Sequence, residues 1–172
     1  RLREQFFTEN GAIPCSVADR TRLEQLKDKY VGNRCFVIGN GPSLNRTPLH
    51  LLKNEFTFGV NRFYLMHERL DWQPTFYTAN DWRVVLDCAE EINALQGSLK
   101  FLDERFHGLL VDSESVHWYW HGRPLAPGEE GFSTDASLGI RGAGSVVGSA
   151  IQLAYHMGFD PIYLIGVDVS YA

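Results

Sequence analysis

The sequence predicts an α/β fold of the Rossmann-like type, in which helices cover both faces of a mostly parallel sheet. Short and nearly uninterrupted apolar runs recur along the chain, and such runs are typical of strands that are buried on both faces. Patterns with helical spacing separate most of these runs, as they do in βαβ units. At 172 residues, the chain is long enough for one domain with its own core and too short for two ordinary ones.

The first predicted element is a helix over residues 16–30, with Ser16 as its candidate N-cap. From residue 34 onward, predicted strands and helices alternate. The strands are predicted at residues 34–39, 56–60, 75–79, 98–103, 115–120 and 161–167. Further helices are predicted at residues 48–54, 62–70, 81–96 and 144–158, and the rest of the region 103–140 is irregular. We therefore predict a helical lead-in over residues 1–33 and a Rossmann-like domain over residues 34–172.

Composition and charge argue against several classes of protein. The formal net charge of −5 disfavours a general nucleic-acid-binding protein, whose affinity depends on a basic surface. No apolar run approaches the roughly 20 residues that span a bilayer, so we expect no transmembrane segment. Of the three cysteines, Cys35 lies in a predicted strand and Cys88 in a predicted helix, and we interpret both as core residues. This favours a reducing, cytoplasmic location and leaves assembly into a homo-oligomer open.

The residues that follow the predicted strands are candidate site residues, because ligands of parallel α/β sheets bind outside the carboxyl ends of the strands. Three of these strands are followed by asparagine, whose side chain offers one acceptor and two donors without a charge. Such groups suit nucleobase edges, ribose hydroxyls and phosphate oxygens. A single asparagine is more simply a turn residue, but repetition at three strand ends favours binding. The residues selected in this way are Asn40, Gly41, Asn61, Asn80, Asp81 and Asp168.

The turn Gly39-Asn40-Gly41-Pro42-Ser43 directly follows the first predicted strand. Its glycines allow a ligand to approach the backbone closely, and Ser43 could cap the next helical turn or donate to a phosphate. The turn has neither the lysine of a P-loop nor the third glycine of a dinucleotide fingerprint. A plain strand-to-helix turn would use the same residues.

A second glycine-rich segment precedes the helix predicted at residues 144–158. Gly144 and Ser145 stand where the free amides of that helix would face a phosphate, and Arg141 would supply a cation beside them. Close packing of a helix rich in small residues against the sheet is the alternative interpretation, and the two are compatible. Together with the asparagines, this segment makes residues 34–172 a predicted nucleotide-binding domain.

The sequence gives little support for a metal site. His117 and His121 lie four apart in a predicted strand, which places both on one face at the wrong separation for a shared ion, and no third ligand is nearby. No acid-x-acid pair follows a strand, and Asp168 stands alone. We interpret His156, in an apolar helix, as a packing or rim residue.

Several segments together resemble one group of enzymes. They are "FVIGNGPSL", "GVNRFYL", "FYTAND", "GSV" before a helix, and "IYLIGVDVSY". These stretches resemble the bacterial sialyltransferases that use CMP-activated sugars. They are also similar to the wider group that contains the motility accessory factors and the archaeal 6-hydroxymethyl-dihydropterin diphosphokinases. The resemblance covers most of the chain from about residue 34 onward.

The resemblance implies roles for individual residues. The three asparagines would contact the nucleotide and the donor sugar, and Ser145 would belong to the nucleotide site. Tyr171 and Asp168 become candidate catalytic residues, Tyr171 because tyrosines after the last strand hold the phosphate leaving group. The histidine base and the lid of such enzymes would lie beyond Ala172, so we expect this chain to be a fragment that lacks both. No metal or other cofactor is required in this interpretation.

Three functions follow from these residues. The favoured one is a glycosyltransferase that moves an acidic sugar from a CMP-activated donor to a hydroxyl of a glycan or protein, with the aromatic residues 117–120 as an acceptor wall. The alternative is a diphosphokinase that transfers pyrophosphate from ATP, with Mg²⁺ near Asp81 and Asp168. The third is a nucleotide-binding module without catalysis.

Overall fold

The computed structural model describes residues 16–121, 128, 131–142 and 144–168. Within these residues, six parallel strands form one sheet in the order β5-β4-β3-β2-β1-β6. The strands are β1 (Cys35–Ile38), β2 (Phe56–Val60), β3 (Phe76–Ala79), β4 (Leu99–Asp103), β5 (Val116–Tyr119) and β6 (Ile162–Ile165). Each lies inside or at the predicted apolar run, and the Rossmann-like α/β fold is confirmed.

The helices differ more from the prediction than the strands do. The α-helices are α1 (Val17–Glu24), α2 (Trp82–Asp87), α3 (Ala89–Ala94) and α4 (Val146–His156). The helix predicted at residues 81–96 is broken at Cys88, whose φ of −131° is not helical and which separates α2 from α3. The two short helices predicted at residues 48–54 and 62–70 are 3₁₀ helices at Leu49–Leu52 and Asn61–Met66. Segments of four and six residues lack the length that makes an α-helix stable by itself.

One face of the sheet is covered by α4 and α1. The face includes Val37, Phe58 and Phe101 from alternate positions of the strands, and Leu23 from α1 packs into the same core. His156 of α4 is buried and uses both ring nitrogens, with Nε2 2.9 Å from the carbonyl of Leu23 and Nδ1 accepting from the amide of Ala136. Helix α1 of the predicted lead-in therefore packs directly against the sheet.

The other face carries two smaller cores. Val85 and Ile92 from α2 and α3 pack with Leu102 and Trp118, and the 3₁₀ segments cover β1 and β2. Cys35 and Cys88 are buried free thiols, one on each side of the sheet. None of the helices in the described part of the chain has the length and apolar character needed to cross a membrane.

Candidate functional site

A cleft with a volume of about 940 Å³ opens at the carboxyl ends of β2 to β5. This is the edge at which parallel α/β sheets bind their ligands. The described residues that line the cleft lie after the ends of these strands or at the start of α4. They are Asn61, Asn80, Asp81, Trp82, Arg83, Arg105, His121, Gly142, Gly144, Ser145 and Val146.

Two of the predicted asparagines lie in this cleft. Asn61 follows β2 with a left-handed backbone (φ 49°), which asparagine tolerates better than most residues. Its carbonyl accepts a hydrogen bond from the hydroxyl of Tyr77 at 2.6 Å, whereas its Oδ1 is buried and has no partner among the described residues. Asn80 follows β3, and its amide donates to Oγ of Ser149 on α4 at 2.9 Å.

The N-terminus of α4 lines the cleft together with these asparagines. Ser145 is the N-cap, and its Oγ accepts from the amide of Gly148 at 3.2 Å. The first amides of a helix have no partner within the helix and carry its positive end, so those of Val146 and Val147 suit an anion. Gly144 lies at the cleft with open space around it, since an added Cβ would meet no atom within 4 Å.

Cationic and aromatic groups complete the cleft beside β3. The carboxylate of Asp81 caps α2 by accepting from the amides of Arg83 and Val84, so it holds the helix start in place. The guanidinium of Arg83 lies over the ring of Trp82, 5.3 Å from its centroid. An indole ring at a cleft is a surface on which a nucleobase can stack.

A buried carboxylate organises the side of the cleft beside β4 and β5. Asp103 ends β4, is fully buried and accepts from Nε of Arg105 at 2.9 Å and from His121 at 3.0 Å. Burial would raise the pKa of Asp103, but the hydrogen bonds from His121 and Arg105 outweigh it and hold the pKa below its usual value. The neighbouring Glu104 behaves in the opposite way, because burial and the charge of Asp103 raise its pKa to about 7.

The Gly39–Ser43 turn lies beside the cleft rather than in its lining. Asn40 follows β1, next to β2 in the sheet, and its amide donates to the carbonyl of Val60 at 3.0 Å. Gly41 packs against Asp168 and Gly166, and Oδ2 of Asp168 accepts from the amide of Ser43 at 2.8 Å. The turn is thus fixed to the end of β6, and Asn40 supports the end of β2 from which Asn61 projects.

Arg141 is not among the described residues that line the cleft. The backbone of Arg141 is held by Gln152 of α4, which accepts from its amide at 2.9 Å and donates to its carbonyl at 2.8 Å. Tyr171 lies outside the described residues.

The two carboxylates considered for a shared Mg²⁺ are far apart. Asp81 follows β3 and Asp168 follows β6, which are three strand positions apart in the sheet. At about 4.8 Å per strand, this corresponds to roughly 14 Å, whereas Mg²⁺ binds its ligands at about 2 Å. The pair therefore does not fit one ion. Within the described residues, no group of three or more His, Cys, Asp or Glu side chains is arranged to hold a metal.

The aromatic segment 117–120 does not form an acceptor wall, and that prediction is wrong. Trp118 and Tyr119 are buried in two different cores, one on each face of β5. Successive residues of a strand point to opposite faces, so both side chains are buried when both faces are covered. His117 packs against Phe101 inside the domain, with ring centroids 5.5 Å apart.

Sequence reasoning missed the groups beside β4 and β5. Asp103 ends a predicted strand and His121 follows another, so the strand-end rule could have identified both. The prediction of an irregular region over residues 103–140 kept them out of the candidate site. Arg105 carries no sequence signal of its own, since its position depends on the carboxylate that holds it.

Comparison with known proteins places the chain in a family. Residues 15–172 match the family described as MptE-like, 6-hydroxymethylpterin diphosphokinase MptE-like. The chain belongs to this family.

A solved structure shows the same fold at low sequence identity. The MptE-like chain is similar to the structure of the MAf glycosyltransferase from Magnetospirillum magneticum AMB-1, with a TM-score of 0.55 and 18% identity. The similarity covers 90% of this chain and 27% of that protein, so the chain corresponds to about a quarter of its length. Comparison with curated proteins gave no match. The resemblance stated from the sequence, to the group that contains both families, is confirmed.

Proposed function

We propose that this chain is the donor-binding domain of a glycosyltransferase that moves an acidic sugar from a CMP-activated donor to a hydroxyl of a glycan or protein. The observation that carries the proposal is the meeting of two strand-end asparagines and the N-terminus of α4 in one cleft. The amides of α4 would receive the phosphate of the donor, and the asparagines its nucleoside. The similarity in fold to a MAf glycosyltransferase supports this assignment.

The unpartnered acceptor of Asn61 supports a polar ligand in the cleft. Buried polar atoms in native proteins nearly always have a hydrogen-bond partner, and an unsatisfied one costs about 1–3 kcal/mol. A ribose hydroxyl or the amino group of cytosine would supply the donor that Oδ1 lacks. Arg83 and Arg105 in the same lining would oppose the negative charge of the phosphate and of the acidic sugar.

A diphosphokinase is the second candidate, because the family to which the chain belongs is described by that activity. It would bind ATP with Mg²⁺ in the same cleft. Asp81 is the carboxylate available there, and Asp168 is too far away to share its ion. The shortage of carboxylates in the described lining favours the glycosyltransferase.

Thermal unfolding with added nucleotides tests the proposal. A ligand at 100 times its dissociation constant stabilises the folded state by about 2.7 kcal/mol, which raises the Tm of a domain of this size by about 5–10 °C. We expect CMP and CDP to raise the Tm without metal, and Asn61→Ala to abolish the shift. Asn45→Ala, at an exposed asparagine outside the cleft, is the matched control and should keep it.

The other outcomes separate the remaining hypotheses. A Tm shift with ATP only when Mg²⁺ is present would favour the diphosphokinase. Binding of CMP without turnover of any CMP-sugar would favour a nucleotide-binding module. The absence of a shift with every nucleotide would contradict all three.

A further inference from the structure

The pair formed by Asp103 and His121 has no role in the proposed donor binding, yet it places a fully hydrogen-bonded, buried carboxylate beside the cleft. Asp103 is a carboxylate without exposed surface, and burial of a charge costs several kcal/mol unless it is fully hydrogen-bonded. Its oxygens accept from the side chain and backbone of Arg105 and from His121. Both partner side chains remain partly exposed, with 44% and 34% of their surfaces accessible, and both line the cleft.

The contact with Asp103 fixes the tautomer of His121. An ionised carboxylate only accepts hydrogen bonds, so Nε2, 3.0 Å from Oδ2 of Asp103, carries the proton. The lone pair is then on Nδ1. The backbone at this point is also held, because the amide of Ile140 donates to the carbonyl of Trp120 at 2.9 Å and bridges residue 121 to residue 140.

We propose that His121, oriented by Asp103, is the proton acceptor of the transfer reaction. This inference rests on the proposed glycosyl transfer and names a base within the chain. His121 lines the same cleft as Ser145 and the start of α4, where the donor phosphate would bind. A histidine held by a buried carboxylate at a reaction site is a general arrangement for accepting a proton from a hydroxyl.

The O–H bond of the acceptor breaks and its proton moves to Nδ1 of His121, while the acceptor oxygen forms a bond to the anomeric carbon of the donor sugar. The bond between that carbon and the phosphate oxygen breaks, and its electron pair leaves on CMP. The products are the glycoside, CMP and a protonated imidazole, which returns its proton to solvent.

Four other groups face His121. Asp103 is hydrogen-bonded to Nε2, and the carboxyl group of Glu104 belongs to the next residue in the chain. Nη2 of Arg105 lies 3.4 Å from Nε2, and the guanidinium of Arg105 is itself bound by Asp103. The ring of Tyr119 lies edge-on, 6.0 Å away, and is neutral.

Release of CMP from CMP-N-acetylneuraminic acid tests the inference, with water as the acceptor hydroxyl. Because general-base catalysis contributes about 100- to 10,000-fold, His121→Gln should lower kcat at least 100-fold and leave KM and CMP affinity within about threefold. Intact CMP binding also shows that the variant is folded. His50→Gln, at an exposed histidine on the Leu49–Leu52 helix, is the matched control and should behave as wild type.

The pH dependence of the rate tests the positioning role of Asp103 separately. The rate rises with pH as the base loses its proton, and Asp103→Asn removes the charge that favours protonation. The variant should therefore show a lower plateau and a rise that begins at lower pH. A plateau that falls with the pH profile unmoved would assign Asp103 a structural role and overturn its part of the inference.

The remaining outcomes distinguish this inference from the proposed function. Wild-type kcat in His121→Gln overturns the inference, while CMP binding leaves donor use standing. CMP binding without CMP release from any CMP-sugar in the wild type overturns the inference and also favours a nucleotide-binding module over the glycosyltransferase. If the wild type neither binds nor releases CMP, the proposed function fails and the inference fails with it.

Discussion

The side-chain amide of Asn80 donates a hydrogen bond to Oγ of Ser149 across 2.9 Å, joining the end of β3 to the second turn of α4. Ser149 is fully buried and Asn80 is half-buried, so the bond lies directly beneath the cleft. It links the two walls that the proposed ligand would bridge, namely the strand ends and the start of α4. The contribution of this hydrogen bond can therefore be measured both from the free energy of unfolding and from the affinity for the ligand.

A double-mutant cycle on this pair gives the first prediction. Asn80→Ala and Ser149→Ala should each lower the free energy of unfolding by about 1 kcal/mol, with a coupling energy of about 0.5–1.5 kcal/mol, measured by urea denaturation. Asn80→Ala should also abolish the CMP-dependent Tm shift, whereas Ser149→Ala should weaken it. Additive losses of stability would show that the bond contributes nothing, and an undiminished Tm shift in Asn80→Ala would remove Asn80 from the ligand site.

The left-handed backbone of Asn61 gives the second prediction. Asn61→Ala should cost about 1 kcal/mol of stability because alanine tolerates a left-handed backbone less well than asparagine, whereas Asn61→Gly has no Cβ to strain this conformation and should be close to neutral. Both variants lose Oδ1, and both should lose CMP binding, measured by calorimetry. If CMP binding is instead lost in Asn61→Ala and retained in Asn61→Gly, then the backbone conformation at residue 61 matters for binding and the side chain does not.

Two glycines at the carboxyl edge give the third prediction, and each serves as the control for the other. A Cβ at Gly39 would overlap the carbonyl oxygen of Gly166, a backbone atom that cannot move aside, so Gly39→Ala should cost about 1–3 kcal/mol. A Cβ at Gly144 meets open space, so Gly144→Ala should keep wild-type stability. Because Gly144 lines the cleft, a methyl group added there should weaken CMP binding. Equal Tm values for the two variants without ligand would contradict the packing described for Gly39.

The sheet could be predicted from the sequence because burial on both faces leaves a local signal. Each of the six strands is a short apolar run, and the residue after a parallel strand lies at the ligand-binding edge wherever the strand sits in the order. Asn61, Asn80 and Asp81 could therefore be selected without knowing their neighbours. Gly144 and Ser145 were selected in the same way from the start of a helix.

The roles of individual side chains could not be predicted, because they depend on contacts between residues that are far apart in the sequence. Asn40 follows a strand just as Asn61 does, yet its amide is used by the carbonyl of Val60. The break between α2 and α3 at Cys88 falls within an uninterrupted helical pattern. The cluster around Asp103 requires β4 and β5 to be neighbours, which the alternation of elements does not specify.

The half-buried imidazole of His117 gives the last prediction, which concerns pH. Burial, together with the charges of Arg22 and Lys29, lowers the pKa of His117 from 6.5 to about 4. Between these values the unfolded chain binds a proton that the folded chain does not, so stability falls as pH falls through this window. His117→Phe keeps a ring against Phe101 but cannot be protonated. The free energy of unfolding of His117→Phe, measured by urea denaturation, should therefore fall less between about pH 7.5 and pH 4.5 than that of the wild type. His50→Gln, at an exposed site, should retain the wild-type difference, because the carboxylates that also titrate in this range are unchanged in both variants. An equal pH dependence in His117→Phe and the wild type would show that His117 is protonated as readily in the folded state as in the unfolded chain.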